Sequence, residues 1–308
     1  MSPESPVSTL AAPPRDRWRI WWTAARPRTL PLSASPVLVG LSLAWAEGAT
    51  PRLMVALATL LAAVLIQIGT NLHNDASDFE RGNDRPDRLG PLRVTAAGWA
   101  SPAAVRRASH LVFACAFALG IFLAFAGGWP IVAIGLASLA AGYAYSGGPR
   151  PISHTPFGEI FVWAFFGVLA VAGSHWLQAE RLSPAALLAG AALGLPAAAV
   201  LLVNNLRDLA ADTAAGRITL AAVLGEAPAR DTHAVLMIAP FFFLPLIAAL
   251  LPGRHGVWLA LLALPTCLKV VRKMRRAQGA MLNAVLADTA RAQFVFGLLL
   301  ALGCLLPL

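Results

Sequence analysis

Residues 52–72 read RLMVALATLLAAVLIQIGTNL, and residues 73–91 continue as HNDASDFERGNDRPDRLGP. The first stretch is as long and apolar as a bilayer crossing requires, roughly 20 residues. Near its end Gln67 and Asn71 lead into Asn74/Asp75 and Asp78 at three- and four-residue spacing. Such positions share one helix face, so a polar stripe ending in charge runs down an apolar helix. A charge near the bilayer centre costs about 2.5–3.5 kcal/mol on insertion scales. Residues of this kind face a bundle interior or a water-filled cavity and mark a pathway or a site.

Outward from this stretch lie eight more apolar runs, near 30–47, 109–127, 130–146, 158–178, 184–206, 233–252, 256–271 and 289–307. Ala and Leu dominate and no run alternates as a barrel strand does, so an all-α, polytopic transmembrane bundle of about nine helices with a central cavity is expected. The run 256–271 is the shortest. The composition agrees: 58% of residues are hydrophobic and 13% charged, against about 25% charged in soluble domains. Gly190 and Gly194 have helix-packing spacing. Residues 1–14, rich in Pro and Ser, are expected to be a disordered tail without a cleavable signal, and 15–308 to form one transmembrane domain.

The net charge of +9 does not point to nucleic acid, because its distribution has another cause. With the N-terminus in the cytoplasm, 21 of the Lys and Arg residues fall on the cytoplasmic side and 3 (Arg52, Arg181, Arg254) on the other. That is the positive-inside pattern of a multi-pass protein in a bacterial-type inner membrane. The basic stretch 269–276 reads as an anchor against anionic lipid.

The 15 acidic residues are unevenly placed. Asp75, Asp78, Glu80, Asp84 and Asp87 crowd the end of the second span, and Asp208 and Asp212 follow the sixth, with Asn204 preceding them at the same four-residue step. Both clusters fall on the cytoplasmic side. Solvation of helix ends would explain charges in a loop, but not two stripes of Asn and Asp running back into apolar spans. Like charges held close need a cation, and Mg²⁺ characteristically takes one or two carboxylates plus substrate phosphates. Arg81, Arg85, Arg88 and Arg93 follow the first cluster, and Arg207 and Arg217 flank the second; guanidinium forks match phosphate oxygens. A cation-coupled transporter would leave these arginines without a purpose. The combination describes a metal-diphosphate site.

These residues resemble the UbiA superfamily of intramembrane prenyltransferases, most closely the branch that prenylates 1,4-dihydroxy-2-naphthoate on the way to menaquinone. The resemblance rests on Asn74-Asp75 with Asp78, Asp84 and DRLGPLR (87–93), and on NNLRDLAADTAAGRITLAAVLG (204–225). ARPRTLP (25–31), YSGGPRP (145–151), FGEIFVWAFFG (157–167) and GSHWLQ (173–178) add to it. Where benzoate-type members carry a third Asp the chain has Gly82, and Asp84 takes that role. The usual Lys of the second motif is Arg217, and a Tyr common in the naphthoate branch is His154.

The resemblance implies a cavity open sideways to lipid, and Mg²⁺ held by Asp75, Asp78, Asp84, Asp208 and Asp212. Asn71, Asn74, Arg88, Asn204, Arg207 and Arg217 would bind the diphosphate, and Tyr145 would face the allylic cation. The substrates implied are a polyprenyl diphosphate and an aromatic acid, either the naphthoate with loss of CO₂ or another such as 4-hydroxybenzoate. The scattered histidines and the three cysteines have no metal-ligand spacing, and neither a nucleophile elbow nor a phosphate-cradling Walker loop is present.

Overall fold

The computed structural model describes residues 14–82 and 89–306. The tail through residue 13 and the metal and diphosphate candidates Asp84 and Arg88 lie outside the described residues. Among those described the chain is helical, with no strand. A short lead-in helix, Arg17–Ala25, ends where Arg26 takes a left-handed conformation (φ 53°). The main elements follow as α1 (Leu30–Ala46), α2 (Leu53–Glu80), α3 (Pro102–Gly127), α4 (Trp129–Ala144), α5 (Gly158–Ala179), α6 (Pro184–Arg207), α7 (Glu226–Leu250), α8 (Leu264–Arg276) and α9 (Leu282–Leu305).

Seven helical stretches among the described residues are long and apolar enough to cross a membrane, and α4 is a shorter apolar helix. The run 256–271 is divided: residues His255–Ala263 wind as a 3-10 helix and α8 begins at Leu264. Pro265 marks the change, since proline fits the first turn of an α-helix and interrupts a continuing one. α3 starts a turn or two before its apolar run because Ser101, followed by Pro102, caps it by accepting from the Ala104 N–H.

α6 is the centre of the bundle, with 72% of its most apolar window buried, whereas α3 has 11% and forms an outer, lipid-facing wall. The Gly190/Gly194 spacing lets α6 approach a π-helical turn of α5 at Ala164–Val168. A Cβ on Gly167 would lie 2.4 Å from the Gly190 carbonyl oxygen and 2.6 Å from the Gly194 Cα, so no larger residue fits. α2 and α6, the two stripe-bearing helices, end on the same side of the bundle. There the 89–101 and 145–157 segments close over them.

Candidate active site

Asp75 is almost fully buried, and its carboxylate accepts from the Val94 N–H (3.1 Å), the Thr95 N–H (3.2 Å) and the Thr95 hydroxyl. Both oxygens are therefore spent on the returning segment, and the structure does not bring Asp75 to the pocket formed by its neighbours. What it holds matters there: Arg93, one residue before Val94, reaches Asp78 at 2.6 Å and the Asn74 side-chain oxygen at 3.4 Å.

Asp78 is the link between the two motifs. Arg217 donates to it from Nη2 at 2.9 Å and to Asp212 from Nη1 at 3.2 Å. On α6, Arg207 grips Asp208 through both Nε (2.8 Å) and Nη2 (2.5 Å), and also reaches the Asn204 side-chain oxygen (2.9 Å). Its Nη1 donates to Asn283 at the start of α9 (3.0 Å), which in turn donates to the Leu89 carbonyl (2.7 Å). Burial raises Asp212 to about 6 despite the Arg217 guanidinium beside it, and burial followed by Arg217 lowers His154 to about 4.

These side chains line a polar pocket of about 320 Å³. Three carboxylates (Asp78, Asp208, Asp212) and three guanidiniums (Arg93, Arg207, Arg217) balance in charge around it. Asn74, Tyr145, Asn204 and Arg207 also line a second, apolar cavity of about 880 Å³ that runs through the bundle between α2, α4 and α5. Phe125 and Trp129, which line that cavity, are 89% and 79% exposed, so it reaches the lipid-facing surface.

Asn71 sits deeper than predicted. It lines the apolar cavity, and its amide donates to the Ala25 carbonyl (2.9 Å) and Thr29 (3.1 Å), holding the break at Arg26. Of the predicted residues the structure thus brings Asp78, Asp208, Asp212, Asn74, Asn204, Arg207, Arg217 and Tyr145 together, and leaves Asp75 and Asn71 behind them. It adds Arg93, Asn205, Ser153 and Asn283. Arg93 had a signal in its closeness to the first cluster. Asn205 stands one position off the α6 stripe and Asn283 is a lone amide near an apolar run, so periodicity could not single them out.

The donors fit a hard cation in type, being carboxylate and amide oxygens. Among the described residues no three acidic, His or Cys side chains converge to hold an ion by themselves. Such a donor set fits an ion that shares its coordination with a bound diphosphate.

Residues 33–289 match the UbiA prenyltransferase family. The chain is 37% identical over 303 residues to the 1,4-dihydroxy-2-naphthoate octaprenyltransferase of Escherichia coli (strain K12), covering 94% of this chain and 96% of that one. It is 35% identical to the enzyme of the same name from Mycobacterium tuberculosis, over 91% and 95% of the two chains. A UbiA homolog from Archaeoglobus fulgidus, solved bound to GPP and Mg²⁺, shares the fold with a TM-score of 0.64 at 19% identity, over 93% of this chain and 99% of that one. Two charged motifs closing one pocket, an apolar cavity opening onto lipid and these likenesses agree: the chain belongs to the UbiA prenyltransferase family and is a multi-pass membrane prenyltransferase.

Proposed function

We propose that the protein transfers a polyprenyl group from its diphosphate to 1,4-dihydroxy-2-naphthoate, with magnesium and with loss of CO₂, giving demethylmenaquinol. The observation that carries this reading is the shared wall of the two cavities. A polar pocket of opposed Asp and Arg side chains joins an apolar cavity at Asn74, Tyr145, Asn204 and Arg207, which suits a molecule with an anionic head and a hydrocarbon tail.

Asp78, Asp208 and Asp212 would hold magnesium, with Asn74 and Asn204 as further oxygen donors. Asp84 and Arg88 keep the roles that the resemblance assigns them, and Asp75 acts by fixing the Arg93 segment. When bound, magnesium draws charge from the diphosphate oxygens and makes the group a better leaving group. Arg93, Arg207 and Arg217 turn from their carboxylates to the phosphate oxygens, so the negative charge that grows on the leaving group meets fixed donors. Tyr145, at the junction, lays its ring against the allylic cation. The ring of the acceptor attacks carbon 1 of the tail. Its carboxylate departs as CO₂ and leaves its bonding pair to the ring, so no proton has to be removed. The high identity to two naphthoate enzymes over nearly the whole chain supports that acceptor.

Membranes containing the protein, incubated with labelled polyprenyl diphosphate and carboxyl-labelled acceptors, test the reading. Labelled CO₂ is expected from the naphthoate, with none in EDTA. Prenylated 4-hydroxybenzoate without CO₂ release would replace it with the other acceptor. We infer further that the N-terminus and both Asp clusters are cytoplasmic, on the 21-to-3 charge split. A cysteine at exposed Leu182 should react with an impermeant thiol reagent from outside, and one at Ser101 only after the membrane is opened. Outside labelling at Ser101 overturns that orientation.

A further inference from the structure

Glu159, the second residue of α5, is 4% exposed in an apolar bundle. No cation faces it among the described residues. One oxygen accepts from the Asn205 Nδ2 at 2.9 Å, and its Oε2 is buried without a partner. With its NH₂ turned to Glu159, the amide points its carbonyl the other way. Asn205 lines the polar pocket, alongside Tyr145 and Ser153. Its Oδ1 has no protein donor among the described residues and is not buried. The pair therefore presents one oriented, acceptor-only oxygen to a pocket lined otherwise by charged groups, hydroxyls, amides and a few apolar side chains.

That oxygen repels the anionic oxygens of a diphosphate and takes either a hydrogen-bond donor or a cation, two cases that the magnesium dependence below tells apart. Of the two organic substrates in the proposed function, on which this step rests, the ionised diphosphate has none. The aromatic acid has its hydroxyls. The hydroxyl next to the carboxylate is satisfied internally, which leaves the one at carbon 4 free. We propose that the Asn205 carbonyl accepts the hydrogen bond of the acceptor's 4-hydroxyl, and that Glu159 is the positioning residue that keeps the amide turned toward it. An acceptor held by that proton has its ring fixed in orientation, while the hydroxyl beside the carboxylate, ortho to the attacking carbon, supplies the electrons. A ring lacking the hydroxyl would leave the amide oxygen without a donor, which is a strong basis for rejection.

The test measures KM for each substrate separately, a readout that does not depend on how much protein is active. Asn205→Ala should raise KM for the naphthoate about tenfold, the size of one such hydrogen bond. KM for the prenyl diphosphate and the half-saturating magnesium concentration should stay within about twofold of the unmutated enzyme. Glu159→Ala should do the same, and Glu159→Gln less, because its amide oxygen can still receive the Asn205 NH₂. With the 4-methyl ether of the acceptor, the unmutated enzyme and Asn205→Ala should have equal KM. A variant effect that persists on the ether, or that appears in the diphosphate or magnesium dependence, overturns the assignment. So does an unchanged KM throughout. If the unmutated enzyme prenylates no hydroxylated aromatic acid, the proposed function fails instead, a separate result.

Discussion

The two ends of the bundle use the same residue types in opposite ways. At the end carrying the Asp motifs, Arg93, Arg207 and Arg217 face carboxylates across an open pocket. At the other end Glu47 accepts from His175 Nε2 (3.1 Å), Arg181 (2.8 Å) and the Ser183 hydroxyl. Arg52 reaches Glu180 and the Ala126 and Leu177 carbonyls, and Arg254 reaches the Ala46 carbonyl. Those carbonyls end α3, α5 and α1, where unpaired C=O groups and the helix dipole favour a cation. None of these charged side chains lines either cavity. An ion pair that lines no cavity can only hold, while one beside a pocket can exchange its partner for a ligand. All three arginines in the minority of the 21-to-3 split fasten helix ends.

The contrast breaks most visibly at Asp208. Asp208→Ala should lower kcat on the order of 100-fold or more, with the protein still inserting and folding. Glu47→Gln should leave kcat within about twofold while costing about 1–3 kcal/mol of stability, read as a lower Tm in detergent. A comparable loss of kcat at Glu47 would remove the distinction.

Arg217 comes next. Arg217→Ala should raise KM for the prenyl diphosphate roughly 10- to 100-fold, as expected for a charged hydrogen bond to phosphate. Arg217→Lys, a point charge without the fork, should fall between that variant and the natural enzyme. Unchanged kinetics in Arg217→Ala would make its bonds to Asp78 and Asp212 merely structural.

Asp212 sharpens the comparison through pH. Its acidity is weakened to about 6, so below that value a proton occupies the carboxylate, and in the proposed role as a magnesium ligand it must lose that proton first. Above about pH 7 the half-saturating magnesium concentration should be flat. Below pH 6 it should rise about tenfold per pH unit, and Asp212→Asn should abolish that slope. A slope that survives assigns the proton to another group.

The smallest effect is expected at Asp75. Asp75→Asn keeps one acceptor for the Val94–Thr95 segment, so activity should fall less than about tenfold, along with some stability. Loss as complete as at Asp208 would return Asp75 to the metal ligands.

This last case shows how far periodicity reaches. The spans were legible because hydrophobic length is a property of consecutive residues. The pairing of the two Asp clusters was legible because charge asymmetry put them on one side. Helical spacing says which residues share a stripe, but not which oxygen a distant segment will claim. Asp75 was therefore indistinguishable from Asp78 until Val94 and Thr95 were seen to cap it. Asn283 reaches Arg207 and Leu89 across 76 and 194 residues, and Glu159 reaches Asn205 across 46, through isolated contacts that leave no pattern. The division of 256–271 turned on one proline within a largely apolar run.

The wall shared by the two cavities has a kinetic consequence. A tail entering past Phe125 and Trp129 leaves the bilayer sideways and never passes through water, so the concentration the enzyme senses is a mole fraction in two dimensions. Doubling the inert lipid at constant bulk substrate should slow turnover as dilution would, while doubling the buffer volume should leave the prenyl donor's saturation where it was. On the proposed function the acceptor and the metal arrive from solution and should obey the opposite rule. One reaction then has two standard states, meeting at Asn74, Tyr145, Asn204 and Arg207.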